Sequence, residues 1–323
     1  MNHINMNRIA LTLLLSSAGL ASAAVSGPYL VDANTLHLWH FDEALVGASP
    51  YNNPGRLFPV DVVNSSFRMD DGYYDATYQS GIMGGTGYTG FGGAGQLDHP
   101  GGNGLNAHHS EFRVGRGDAD YAMPGEDGNT GNITPTQLLG STNGAFTIEG
   151  MIKWNGSQGG TAQGFIFKAA EDGQNHLRLT MQNAGTAPVF RLGLPNTGGN
   201  NTFTTTATIP ALTTTDWYHY AVTFDGNNAG GSPLKFYWTK VEESATEANL
   251  VQTFSSTGNT AYNINGVFQM GNWNASSFDG LVDEVRISDV ARSADDMLFI
   301  PEPSTTLSCL LGAAVLLVRR RRM

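Results

Sequence analysis

Cysteine is almost missing from this chain. The one cysteine, Cys309, lies in an apolar run near the C-terminus. The body of the chain therefore has no internal disulfide and no thiol nucleophile. Positive charge is scarce too: 17 lysines and arginines face 28 aspartates and glutamates, a formal net charge of -11. That balance argues against nucleic acid and anionic lipid as partners. Helical periodicity is nearly absent. There is no Gly-x-Ser-x-Gly elbow and no phosphate-cradling Gly-x-x-x-x-Gly-Lys, which excludes those two kinds of catalytic machinery. Zinc finds no support either, since His108 and His109 are adjacent and point apart on an extended chain. What is abundant is glycine and aromatic residues, 41 Gly with 16 Phe and 11 Tyr, the composition of a loop-rich β-protein.

Both ends carry addresses. Arg8, the apolar stretch from Ile9 to Leu15, and Ala21-Ser22-Ala23 have the layout of a secretory signal over residues 1–23. At the other end Pro301-Glu302-Pro303-Ser304 leads into an apolar run from Thr305 to Val318. Arg319, Arg320, Arg321 and Arg322 follow it. The run is a short transmembrane helix candidate stopped by a basic cluster on the cytoplasmic side. This order of parts resembles the PEP-CTERM sorting signal of envelope-bearing bacteria. The resemblance implies an exosortase-type transpeptidase as partner, transient anchoring in the inner membrane, and delivery to the cell surface or extracellular matrix. Loss of both ends would remove Arg8 and the four terminal arginines, leaving the exported part more acidic still.

Between the ends, residues 24–300 read as one domain. Leu36 to Phe41 forms a first strand with His37 and His40 on opposite faces, one packed and one at the rim. A glycine-rich insertion around residues 46–144 holds one or two strands and long loops. Regular strands then follow one another. Phe146 to Trp154 puts Phe146, Ile148, Ile152 and Trp154 on one face. Further strands fall at Gly164 to Lys168, His176 to Met181, Val189 to Leu194, Trp217 to Phe224, Leu234 to Thr239, Leu250 to Phe254 and Val267 to Met270. Thr202 to Thr208 is an edge candidate, and turn signals such as Asp172-Gly173 and Asp225-Gly226 lie between strands. The last strand is Gly280 to Ser288. A strict period of two groups Leu281, Asp283, Val285 and Ile287 on its buried face. Glu284 and Arg286 then form a solvated pair on the other. A helical turn is expected only at Ser293 to Leu298. The expected architecture is all-β, a two-sheet antiparallel jelly-roll sandwich.

Four pieces carry a resemblance to the LamG-like, concanavalin A-like jelly-roll family. They are Leu38 to Glu43, Phe146 to Trp154, Trp217 to Gly226 with Leu234 to Tyr237, and Phe278 to Ser288. The resemblance implies a non-catalytic domain that binds carbohydrate or matrix polysaccharide. It also implies one structural Ca²⁺ held between the start of the domain and its last strand, with Asp283 opposite Asp42 and Glu43 as oxygen ligands. A buried Arg or backbone N–H groups are the other partners that would satisfy Asp283. Trp273, in Gly271-Asn272-Trp273-Asn274, is the one loop tryptophan placed to stack on a sugar. A structural or adhesive matrix protein without a sugar site is the competing class. A glucanase-like glycoside hydrolase is the third, but it needs paired carboxylates and Glu149 stands alone on its strand.

Overall fold

A computed structural model describes residues 28–41, 61–64, 77–80, 93–97, 111–114, 133–156, 164–169, 177–196, 199–226, 233–241, 245, 247–255, 262, 264, 266–271, 278 and 280–298. The two terminal segments expected to carry sorting signals, together with Asp42, Glu43 and Trp273, lie outside these residues. Among the described residues no helix is long and apolar enough to cross a membrane.

The strands in order are β1 (Thr35–Trp39), β2 (Thr77–Ser80), β3 (Gly93–Leu97), β4 (Glu111–Val114), β5 (Phe146–Trp154), β6 (Gly164–Ala169) and β7 (Leu177–Gln182). Then come β8 (Val189–Asn196), β9 (Gly199–Thr204), β10 (Tyr218–Phe224), β11 (Pro233–Lys240), β12 (Leu250–Ser255), β13 (Phe268–Gly271) and β14 (Gly280–Ser288). They form two antiparallel sheets. One runs β12-β11-β10-β5-β14-β3-β2, with β1 also on β14; the other runs β4-β13-β6-β7-β8-β9. The expected all-β jelly-roll sandwich is what the chain adopts.

Alternation explains the core. Phe146, Ile148, Ile152 and Trp154 of β5 join Tyr218, Tyr220, Val222 and Phe224 of β10 and Phe236 and Trp238 of β11. All of these meet Leu177, Leu179, Met181, Phe190, Leu192 and Leu194 from the second sheet. Burying an aliphatic or aromatic side chain of this kind stabilises by about 1.5–3 kcal/mol. Gly150 breaks the apolar run of β5 for a steric reason: a Cβ there would lie 2.8 Å from the Tyr220 hydroxyl. Glycine lets that ring cross the strand.

Two expectations about the insertion need correcting. Among its described residues it holds three strands, β2 to β4, where one or two were expected. It also contains a helical turn, α1 (Pro135–Leu139), which periodicity missed because five residues are too few to show one. Its ends are marked all the same. Thr134 accepts from Gln137 N, Gln137 returns the bond to Thr134 N, Pro135 opens the helix and Gly140 closes it at φ 69°. The predicted turn near Ser293 is a 3-10 turn at Ala294–Asp296.

A further correction concerns β14. Its partner edge is shared: Gly280, Leu281 and Val282 pair with β3, and Val285 to Ser288 pair with β1. At the junction the register on β5 slips between Asp283 and Arg286, and Glu284 adopts φ 51°. This bulge reverses the alternation. Val282, Val285 and Ile287 enter the core, while Asp283 sits opposite Met151 and Arg286 opposite Glu149 on the outer face. Asp283 thus does not share a face with Val285 and Ile287. Glu284 and Arg286 are not a solvated pair; they are 0% and 4% exposed.

Candidate functional site

The outer face of the larger sheet is closed by the two ends of the domain. A second apolar cluster forms there from Tyr29, Leu38, Met151, Ala221, Tyr237, Ala248, Met297 and Leu298. Polar residues are sealed beneath it. Glu149 is fully buried and sits opposite Arg286. The Arg286 Nε donates to Glu149 Oε1 at 2.9 Å and its Nη2 lies 2.8 Å from the same oxygen. His219 Nε2 lies 3.2 Å from Oε2, whereas His219 Nδ1 has no partner. Burial alone would raise the Glu149 pKa; Arg286, His219 and Arg292 together hold it below the ordinary value. Arg286 also caps the Asp296 and Met297 carbonyls and lies 4.3 Å over the Tyr29 ring.

Arg292 completes the closure. It meets both carboxylate oxygens of Asp32 at 2.8 Å and donates to Ser288 Oγ, while its own N–H donates to Thr147 Oγ1. Glu284 accepts from Tyr29 N at 2.8 Å and lies 2.9 Å from His40 Nδ1. Glu284 and Arg292 fasten the N-terminal segment to the end of the domain. Asp283 Oδ1 accepts from Glu284 N at 2.9 Å, a backbone N–H bond of the kind expected as one alternative to a metal ion. Among the described residues no group of three His, Cys, Asp or Glu is placed to hold a metal ion, and Asp42 and Glu43 lie outside them. His37 is packed, as expected, between Asp61 and the Gln137 carbonyl. Its Nδ1 is 2.6 Å from Asp61 Oδ2 and its Nε2 is 2.8 Å from that carbonyl. His40 is at the rim, its side chain 22% exposed.

The open feature of the domain is elsewhere. A groove of about 490 Å³ runs between edge strand β12 and the threonine-rich segment that follows β9. Ile209, Pro210, Ala211 and Leu250 give it an apolar wall, and Leu250 is 46% exposed. Trp238 and Tyr218, stacked at 5.2 Å, line its base. Thr213, Asp216 and Lys240 form its polar end. Asp216 Oδ2 accepts from Thr213 Oγ1 at 2.6 Å and meets Lys240 Nζ at 3.0 Å. The Thr213 hydroxyl above all holds the Asp216 pKa below the ordinary value, with Lys240 adding to the effect. This groove was not legible in the sequence, because its walls come from three segments that only the fold brings together.

Residues 126–297 match the family model of the concanavalin A-like lectin/glucanases superfamily, laminin G type. The chain belongs to that superfamily. The resemblance read from the four strand segments is therefore confirmed, and it includes the β5, β10 and β14 strands that build the buried network. No curated protein matches the chain. Among solved structures, the binding domain of Paraclostridial Mosquitocidal Protein 1 aligns with a TM-score of 0.50 at 10% identity, over 81% of this chain and 50% of that one. The binding domain of botulinum neurotoxin DC in complex with SialylT aligns with a TM-score of 0.43 at 9% identity, over 82% and 50%. The receptor binding domain of botulinum neurotoxin type G gives 0.43 at 11%, again over 82% and 50%. This chain thus spans about half the length of the solved structures it matches, and the likeness is one of fold.

Proposed function

We propose that this superfamily member is an exported, non-catalytic domain that binds carbohydrate or polysaccharide matrix at the cell surface. The observation that carries the reading is the groove beside β12. It pairs an apolar wall with hydroxyl, carboxylate and ammonium groups, the mixture a sugar's apolar face and hydroxyl rim require. Catalysis is disfavoured by the state of Glu149: a general acid or nucleophile needs access to substrate, and this carboxylate is sealed against Arg286 and His219. The fold likeness to the binding domain of Paraclostridial Mosquitocidal Protein 1 is in keeping with a binding role. Sorting by an exosortase-type system through Pro301, Glu302, Pro303 and the terminal arginines remains part of the proposal. So do a structural Ca²⁺ at Asp283, Asp42 and Glu43, and sugar stacking by Trp273.

A glycan array with the domain spanning residues 24–300 tests the reading, alongside a β-glucan hydrolysis assay. Specific glycans should bind and no reducing ends should appear. A blank array together with self-association would favour the structural or adhesive class, and hydrolysis would favour the glucanase class. Trp273→Ala should weaken glycan binding if that ring contributes.

A further inference from the structure

Among the described residues, two arginines on the outer face of the smaller sheet carry positive charge without a counter-charge. Arg178 on β7 and Arg191 on β8 lie on the strand positions that alternate with core residues Leu177, Leu179, Phe190 and Leu192, so both side chains stand on the face away from the core. Arg178 pairs across the ladder with Gly193 and Thr180 with Arg191. The two arginines are therefore diagonal neighbours, within reach of one another, and Gly193 puts no side chain between them. On its other side Arg178 faces Lys168 of β6, a buried lysine held by contacts of its own.

Both arginines are partly buried, and the described residues bring no carboxylate to either. The Arg191 Nε is buried and has no hydrogen-bond partner among the described residues. Burial first, and then the charge of Arg191, lower the pKa of Arg178. Two neighbouring guanidinium groups, half-desolvated and unneutralised, are an unfavourable arrangement in isolation. The chain has acidic residues in excess, so supplying a partner from within would have been easy. The arrangement makes sense if the missing negative charge arrives from outside. Guanidinium forks pair bidentately with planar carboxylates and with tetrahedral sulfate or phosphate oxygens.

We propose that Arg178 and Arg191 form an oxyanion site, and that its ligand is the carboxylate or sulfate group of an acidic polysaccharide. The choice of polysaccharide rests on the carbohydrate-binding reading above; the oxyanion site does not. The site lies on the opposite sheet from the groove, so one polymer strand or two separate strands would be held by different chemistries. Because the chain carries a net charge of -11, recognition of an anion at this pair is local and short-ranged, and salt should weaken it.

The test uses the 24–300 domain and Arg178→Gln and Arg191→Gln variants. Inorganic sulfate probes the site itself. Polygalacturonate and dextran sulfate probe the carboxylate and sulfate ester forms, with neutral dextran as control. Thermal melting should show sulfate raising the Tm of the wild type but not that of Arg191→Gln. Without anion, each single variant should melt at or above the wild-type temperature, because a like-charge contact is relieved. Calorimetry should show one or both acidic polymers binding and neutral dextran not. Affinity should fall roughly tenfold or more in either variant, the cost of one lost charged hydrogen bond. A variant that melts lower without anion, together with equal sulfate stabilisation of all three proteins, would overturn the site. Acidic polymers binding variants and wild type alike would overturn the site too, and leave the carbohydrate reading standing. Arginine-dependent stabilisation by sulfate with no polymer binding would uphold the site and sink the polysaccharide ligand.

Discussion

Arg286 on the last strand places its Nε and Nη2 2.9 and 2.8 Å from one oxygen of Glu149, at the centre of the larger sheet. Both residues are almost entirely withdrawn from water. A pair in this position is costly to form and more costly to break, since removing one partner strands the other charge.

Glu149→Leu alone should therefore destabilise the domain by about 3–5 kcal/mol. Arg286 would be left over the Tyr29 ring with only carbonyl partners. The double variant Glu149→Leu/Arg286→Met should recover most of that loss, because two apolar side chains of similar volume replace the ions. Urea unfolding of the wild type, the two single variants Glu149→Leu and Arg286→Met, and the double variant checks this. If the double variant loses as much as the sum of the single losses, the pair is not the unit it is described to be.

Arg292 and Asp32 hold the N-terminal segment against the last strand's exit, and here pH is the probe. The Arg292 hydrogen bonds hold the Asp32 carboxyl far below the usual carboxylate range. A depressed folded pKa means that the contribution is fully present above the unfolded value, about 4. It is lost as pH falls through the folded value. Stability should be level from neutral pH to roughly 5 and decline below about 4. Asp32→Asn should flatten part of that acid limb while costing less than about 1 kcal/mol at neutral pH, because the Asp32 side chain is 44% exposed. Arg292→Ala should cost more, since its buried side chain also serves Ser288. Melting curves of both variants across the acid range decide. An Asp32→Asn acid limb identical to the wild type would remove the clasp from the account.

The strands were legible where both the period and the turn were clean. Phe146 to Trp154 alternates without interruption, and its core face is the one the period of two indicates. On β14 the same rule failed at one residue. Nothing in Asp283-Glu284-Val285 marks a bulge, since Glu is a poor residue for φ 51°. The bulge leaves Val285 and Ile287 on the expected core face but puts Val282 there in place of Asp283. The solvated pair inferred from Glu284 and Arg286 is instead two separate buried bonds, because an apolar cluster covers the outer face. The Glu149, His219 and Arg286 cluster was not legible for another reason: its members are 70 and 137 residues apart and meet only through the registers of three strands. Thr134-Pro135 with Gln137 and Gly140 was legible and overlooked. Capping residues locate a helix even when it is too short for periodicity.

Calcium is tested by removal. In the proposed site Asp283, which accepts the Glu284 N–H, would share the ion with Asp42 and Glu43. If the ion is structural, EDTA should lower the Tm and added Ca²⁺ should restore it. The Asp283→Asn variant should lose most of that difference. Identical melting with and without EDTA would reject the ion.

Glu284 sets strain against bonding within one residue. Its left-handed backbone costs about 1–2 kcal/mol for a residue with a Cβ, and Glu284→Gly would relieve that. The same substitution removes the carboxylate that receives Tyr29 N and His40 Nδ1. Hydrogen bonds to a charged group contribute about 1.5–3 kcal/mol each, so losing them outweighs the relief. Glu284→Gly should be less stable than the wild type, and its loss should be smaller than that of Glu284→Ala, which forfeits the bonds and keeps the strain. Hydrogen exchange should show the loss as faster exchange in residues 28–34, the segment those bonds fasten. If Glu284→Gly instead melts higher with unchanged exchange, the bulge is simply strained and the carboxylate does not hold the N-terminal segment.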